Sequence, residues 1–540
     1  KTTRSAASAQ GMEALRGRKY QIIAMAAIVA VVAAGVVGTL TDSGGTDLPE
    51  RYHQHEKAQQ LADLPEADRV AASGTNIDAA TFASHLPVVS IDTGEQEIPG
   101  ERVISTEDAA VEAEAADATV AEDEHAGPVT LAADGSTTIP TSFSLFSNDG
   151  AANRLSDAAV LSTQAELRIR GHSSRLFDKK SYLVHFTEQD RLTARNLDVL
   201  DMGADNEWVL NGPFLDKTMI RNYLSMNIAG EIMPYTPDVR FCELFIDGKY
   251  QGVYLLMESV KHDDDRVALT DSDPKSAATS YIVSRDWEDA TNATNVYDFL
   301  NVIRITRGAP LEVTYPSQRI ITEEQFAWIE QDINAFEKAL YSYDYDTSSY
   351  GYWNFIDVGT FVDYAVINEF TGNIDAGSYS TYFYKDVRGK LSAGPVWDFN
   401  NAFNNYMDSD LSDMGFFVNT KPVFYMLYKD EAFVHRVIAR YRELREDSLS
   451  DERMLTMIDE TIDYLGPAIE RNYTVWGYSF DARAVHDDEK LFPEERNPGS
   501  FDEAVGQLKS YIVERGAWMD RNIENLRQLS HESVNKKYNH

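Results

Sequence analysis

Cysteine is nearly absent from this sequence: Cys242 is the only one in 540 residues, so no intrachain disulfide can form. Basic residues are also scarce, with 49 Lys and Arg against 87 Asp and Glu, a formal net charge of −38. That balance excludes electrostatic binding to nucleic acid, which needs a basic face to displace counterions. An acidic surface instead confers solubility and attracts divalent cations. No GxxxxGK[ST], GxSxG or HExxH stretch occurs, so P-loop and hydrolase readings have no anchor, and no internal repeat is visible.

What is present is ample apolar material, 43% hydrophobic and 11% aromatic, enough for a large core. Ile22 to Leu40 form an uncharged run long enough to cross a bilayer. Lys1, Arg4, Arg16, Arg18 and Lys19 precede it against Glu13 alone. The positive-inside tendency then gives a short cytoplasmic segment (1–21), an uncleaved signal anchor (22–40) and a single-pass cell-membrane protein with its main domain outside. Residues 41–85 read as a flexible acidic stalk, 86–529 as the folded domain with an acidic insertion at 107–126, and 530–540 as a polar tail.

From about 129 to 315 the pattern is mainly β, in runs such as "AELRIRG", "SYLVHF", "EWVLNG", "RFCELFIDG" and "YQGVYLLME". Asp247-Gly248 is a hairpin signal, and Cys242, on an apparent strand, is expected to be buried. One helix is expected at 216–232, capped by Asp216. Beyond 320 the chain turns helical, starting at a Thr322/Gln325 capping box. Two strand-like runs, "STYFYKD" and "KLSAGPVW", interrupt these helices, and the fold class reads as α+β, a β-rich half followed by a helix-rich half.

Three stretches invite a chemical reading. In "RIRGHSSRLFDKKSYLVHF" (168–186) the turn offers the backbone and hydroxyls of Ser173 and Ser174 to phosphates, with Arg170, Arg175 or Lys180 supplying charge; ordinary hairpin chemistry explains the same residues. In "NEFTGNIDAGSYSTYFYKD" (368–386) Asp375 follows a helix and precedes a strand, where it could take a proton or hold a metal, or simply cap a turn. In "GPVWDFNNAFNN" (394–405) Asp398 follows a strand. The spacing to Asp375 leaves room for one hairpin, so both carboxylates reach one end of it. Phosphoryl transfer in protein kinases uses such a pair, one Asp to orient the hydroxyl and one to hold Mg²⁺.

The segments "RGHSSRLFDKKSY", "FLDKTMIRNYLS", "ELFIDGKYQGVYLLMESVK", "NIDAGSYSTYFYKD", "GPVWDFNNAF" and "ERGAWMDRNIENL" together resemble, in order, those of the spore-coat CotH kinase family. The resemblance implies an atypical protein-kinase-like, two-lobed domain that binds ATP with Mg²⁺ or Mn²⁺ and phosphorylates Ser or Thr of proteins. It implies Lys180 on the phosphates, Glu258 near the cofactor between lobes, Asp375 as catalytic aspartate and Asp398 as metal ligand, with Asp216 or Glu231 orienting the lysine. Two departures stand out: Ser380 where a kinase catalytic loop carries a metal-binding Asn, and Asn400 where the family often has a second Asp. Asn400 still offers a carbonyl oxygen to a cation. The alternative is a catalytically silent surface or coat scaffold that binds protein or glycan partners.

Other features read as bland. "MDSDLSDMG" (407–415) and "KHDDDR" (261–266) are acidic loops without an EF-hand frame. His53 and His55 are two apart, but a zinc site needs further ligands that the neighbouring sequence does not offer. The tyrosine-rich stretch 341–355 reads as a connector packing on the domain.

Overall fold

A computed structural model describes residues 48, 50–102, 120–123, 127–286, 311–406, 410–412, 415–481 and 496–538. The expected membrane span at 22–40 and most of the acidic insertion lie outside these residues. Among the described residues no helix is long and apolar enough to cross a membrane.

The β-rich half closes on itself. Seven strands, β1 (Val88–Asp92), β2 (Ile139–Phe146), β3 (Leu161–Arg170), β4 (Ser181–Thr187), β5 (Glu207–Asn211), β6 (Val239–Ile246) and β7 (Lys249–Glu258), form a barrel in the order β1-β6-β7-β5-β4-β3-β2, with β2 pairing back to β1. All pairs are antiparallel except β1 with β6, where Val88 to Ile91 run beside Glu243 to Ile246. This corrects the expectation of a two-lobed, kinase-like domain: the parallel β1–β6 contact leaves no open sheet edge, so the strands enclose a core of their own. Val89, Ile91, Phe143, Leu167, Val184, Phe186, Trp208, Leu210, Cys242, Leu244 and Leu256 fill that interior.

Every residue of β6 is buried, which is why "VRFCELFI" reads as a near-continuous apolar run. Cys242 and Leu244 point into the barrel, while Val239 and Phe241 join the larger core formed with the helices. Between β6 and β7, Asp247 (φ 49°) and Gly248 (φ 72°) form the expected tight hairpin with two left-handed residues. The helix α1 (Arg221–Ile232) packs on the outer face, its Tyr223 ring 4.5 Å from Phe241. It starts five residues later than expected. Asp216 nevertheless serves its start from a distance, accepting the Arg221 N–H at 2.8 Å and the Arg221 guanidinium at 2.6 Å.

Residues 50–85, read from composition as stalk, are folded against the body. A one-turn helix, Gln54–Lys57, buries Gln54 and His55, and the Gln54 side chain exchanges hydrogen bonds with both backbone groups of Phe241. Two hydrogen bonds from one polar side chain to one strand residue help hold a segment that lacks an apolar stripe.

Past the barrel, a four-stranded sheet, β8 (Tyr281–Arg285), β9 (Leu311–Tyr315), β10 (Thr381–Lys385) and β11 (Ser392–Ala393), runs in the order β9-β8-β10-β11. It packs among α2 (Glu323–Leu340), α3 (Val358–Thr371), α4 (Glu431–Arg445), α5 (Asp451–Leu465), α6 (Pro467–Trp476) and α7 (Phe501–Asn522). The Thr322/Gln325 capping box is made in both directions, at 3.1 and 3.2 Å. α5 and α6 divide at Gly466 (φ 45°) and Pro467. A buried ion pair, Glu243 with Arg471 at 2.7 Å, ties the barrel to α6.

Candidate functional site

The two aspartates singled out by sequence arrive at one place because a helix and a hairpin deliver them. α3 is capped by Asp357, whose side chain accepts the Gly359 N–H at 3.0 Å, and stops at Gly372, which takes the left-handed conformation (φ 62°). Near its end Glu369 is buried, held by Arg515 at 2.7 Å and by the N–H groups of Phe417 and Val418. The chain then turns through Asn373 to Asp375, whose carbonyl accepts the N–H of Ser378 and Tyr379, both at 2.9 Å. β10 and β11 follow as the expected strand pair, Phe383 opposite Ala393 and Tyr384 opposite Ser392, and the chain reaches Trp397-Asp398.

Asp398 has φ 55°, a left-handed conformation that costs a non-glycine residue of order 1 kcal/mol or more and is kept only where neighbours fix it. Fully buried Phe399 supplies one anchor, its N–H donating to Asn222 Oδ1 at 2.8 Å. Asn222 Nδ2 donates to Asn400 Oδ1 at 2.8 Å, and Asn400 Nδ2 donates to Asp398 Oδ1 at 2.6 Å. Asn373 donates to the Asp398 carbonyl at 3.2 Å, and Asn401 donates to Asp375 Oδ2 at 2.7 Å. Each carboxylate is therefore held by an asparagine amide, Asp398 by Asn400 and Asp375 by Asn401.

Burial pushes the Asp398 carboxyl up to about 6, helped by the negative fields of Asp375 and Asp286 and opposed by the Asn400 N–H and Arg170. Arg170 lies with its guanidinium 5.5 Å from the Trp397 ring centroid, so the last residue of β3 brings positive charge to the same place. On the Asp375 side, Lys421 donates to the Ile374 carbonyl and feels the charge of Asp375.

The other expected site residues are placed differently. Lys180 pairs with Glu101 at 2.7 Å and donates to the Arg175 carbonyl at 2.9 Å. Its neighbour Lys179 is the buried lysine, donating to the Val253 carbonyl at 2.7 Å and Asn472 Oδ1 at 2.8 Å, with its ammonium pushed down to about 7 by burial. Asp216 belongs to Arg221, and Glu231 to His53 and Arg453, so neither orients Lys180. Glu258 accepts from the Asp238 N–H at 2.7 Å and the Tyr235 hydroxyl at 3.1 Å, and burial lifts its carboxyl to about 7. Ser173 and Ser174 lie in the turn Ser173–Leu176, which folds so closely that a Cβ on Gly171 would meet Ser174 Oγ at 1.9 Å. Arg175 is buried and donates to the Gly100 carbonyl at 2.9 Å.

Sequence reasoning missed Asn222, Asn373, Asn401, Asp286 and Lys421. Asn222 lies within a segment already notable for its family resemblance, and Asn401 in the asparagine-rich run after Asp398. Lys421 carried no local signal.

The donors gathered here are hard oxygens, two carboxylates and amide carbonyls, which suit Mg²⁺ or Mn²⁺ rather than a soft metal. Asn373 Oδ1 is buried with no hydrogen-bond partner, and Asp398 carries its charge at a cost that a cation would remove. Asp398, Asp375 and Asn373 thus fit a divalent ion. Asn400 has its oxygen engaged by Asn222 and turns its amide nitrogen toward Asp398.

The class these elements define is a closed barrel joined to a helical layer, with two aspartates brought to one end of a strand pair. The family model of the CotH kinase protein matches residues 167–519, well over half the chain and both aspartates, and the chain belongs to that family. It is also similar to the inner spore coat protein H of Bacillus subtilis (strain 168), 24% identical over 237 residues, covering 44% of this chain and 58% of that protein. The chain thus spans less than two thirds of that curated relative.

Proposed function

We propose that this CotH-family protein is an ATP- and divalent-metal-dependent protein kinase acting on Ser or Thr hydroxyls. Asp375 orients the attacking hydroxyl and takes its proton; the hydroxyl oxygen bonds to the γ-phosphorus as the bond to ADP breaks. Asp398, with Asn373, holds Mg²⁺ or Mn²⁺, which neutralises phosphate charge when bound. Arg170 and Lys180 are the cations available to phosphate oxygens. One observation carries the reading: one strand pair brings both aspartates to the same end, close enough that the charge of Asp375 helps raise the Asp398 carboxyl. The reading rests on this pair and on the family, not on a kinase architecture. Incubating the purified chain with γ-labelled ATP and Mg²⁺ or Mn²⁺ tests it. Label should reach protein Ser or Thr and vanish in Asp398→Ala; equal labelling by both would end the proposal.

We infer further that the acidic domain lies outside the cell membrane, held by the apolar run at 22–40; the run with its basic flank and a relative named as a spore coat protein support this. Protease accessibility of the domain in intact cells tests this; protection of the domain would refute it.

A second reading, a silent scaffold that binds a protein or glycan, is favoured by the Asn400 amide occupying Asp398 Oδ1 and by Ser380 standing where a kinase has a metal-binding Asn. Ligand at a hundredfold over its Kd stabilises a native state by about 2.7 kcal/mol. No rise in Tm with millimolar ATP and Mg²⁺ would favour the scaffold.

A further inference from the structure

The segment after Glu50 brings two histidines into a place the sequence did not suggest. His53 and His55 are both buried, with rings 5.6 Å apart, and one ligand atom from each of His53, His55 and Glu56 falls within 4.8 Å of the others. Two acids distant in sequence join them. Glu460 of α5 approaches His55 Nε2 at 3.7 Å, as does Glu56, and Glu231 of α1 takes His53 Nε2 at 2.9 Å.

Two ring nitrogens, His55 Nε2 and His53 Nδ1, are buried without a hydrogen-bond partner. His55 is oriented from its other side, where Nδ1 and the Tyr223 hydroxyl are 2.7 Å apart. The separations of 3.7 Å from His55 Nε2 to two carboxylate oxygens are too long for hydrogen bonds. They are close to the ligand-to-ligand edge of a tetrahedral ion with bonds of about 2.1 Å, roughly 3.4 Å. The charge also fits. Glu56, Glu231 and Glu460 surround the histidines, and Arg453, at 2.9 Å from Glu231 and 3.5 Å from Glu56, offsets only one of the three.

We propose that His53, His55 and Glu56 form a cation site for a divalent ion of the zinc class, separate from the aspartate pair, with Glu231 of α1 and Glu460 of α5 as flanking carboxylates that tie the chain entering the domain to both helices. Two imidazoles and one carboxylate with a fourth position open are a set that Zn²⁺ takes, and Glu231 on the far nitrogen of His53 is the outer carboxylate that commonly steers a metal-binding imidazole. Glu56 and Glu460 are partly exposed, so the ion has a way in. Bound there, it would join three segments far apart in sequence.

The full chain, stripped with chelator and passed through gel filtration after incubation with Zn²⁺ alone, should retain one ion per chain. Asp398→Asn should retain as much, His55→Ala at least tenfold less, and Glu231→Gln should bind about ten- to a hundredfold more weakly. Retention by His55→Ala equal to wild type, or none by wild type, overturns the site. Co²⁺ needs no variant: wild-type chain should give the intense visible absorption of a four-coordinate site with nitrogen ligands. The weak bands of an octahedral, all-oxygen complex would refute it.

Discussion

Replacing Asp398 by Asn removes one charge and almost nothing else, because the amide oxygen can still accept from Asn400. In the folded chain the carboxyl is raised from 3.8 to about 6. Folding therefore favours the protonated form, and the ionised form costs stability. Below about pH 4 the acid is protonated in both states and carries no such cost; as pH rises through 6, the unfolded chain has already lost its proton and the native state is penalised. A shift of about two units corresponds to about 3 kcal/mol, an upper figure because the group is partly exposed. In chelator at pH 8, Asp398→Asn should thus be more stable than wild type by up to about 3 kcal/mol, and the gap should close as pH falls from 6 to 4. Urea titrations of both proteins across that range measure it. Saturating Mg²⁺ or Mn²⁺ should reverse the order, since only the carboxylate gains from the cation. Curves that run parallel at every pH, or a variant less stable at pH 8 in chelator, would refute the reasoning.

Arg170→Met removes the positive field that opposes this shift, so in that background the gap between wild type and Asp398→Asn should go on widening to a higher pH and be larger at pH 8. Lys179 has its folded pKa depressed to about 7, so wild type should gain stability relative to Lys179→Met as pH rises from 7 to 9; a flat difference in urea midpoints would argue against the burial. Lys180→Met should change stability by less than about 1 kcal/mol, because its pairing with Glu101 is near the surface, yet abolish labelling by ATP if Lys180 serves the phosphates. Arg515→Met strands the buried Glu369 carboxylate and should cost about 3–5 kcal/mol by chemical denaturation.

What could be read in the sequence was local. Asp247-Gly248, the Thr322/Gln325 box, buried Cys242 and the hairpin between Asp375 and Asp398 each depend on a few adjacent residues, and each is in the structure. The barrel was not legible. It closes by β1 lying parallel to β6, residues 88–91 against 243–246, and nothing in either strand names the other. The order of adjacent lysines was hidden for a similar reason. "DKKSY" offers both, and only the fit against Gly212, where a Cβ would strike the Lys180 carbonyl at 2.5 Å, and against Asn472 on α6 sends Lys179 inward. The segment holding His53 and His55 looked like a linker because the side chains that meet it, Glu231 on α1 and Glu460 on α5, are far away in sequence.

Three buried acids of this fold are neutralised in a way that Asp398 is not. Glu243 has Arg471, Glu369 has Arg515 and Asp216 has Arg221, each at 2.6 or 2.7 Å. In these three a guanidinium neutralises the buried carboxylate, whose unmatched charge would cost several kcal/mol, whereas Asp430 is held by the Tyr352 hydroxyl and the Ala432 N–H. Asp398 is held instead by the neutral amide of Asn400, and Arg170 acts only through space from over Trp397. Amides fix the direction of a carboxylate without neutralising it, so Asp398 retains a charge that the protein does not satisfy. Such an arrangement is stable in a protein that receives its missing positive charge from outside, and a divalent cation carrying phosphate oxygens would supply it.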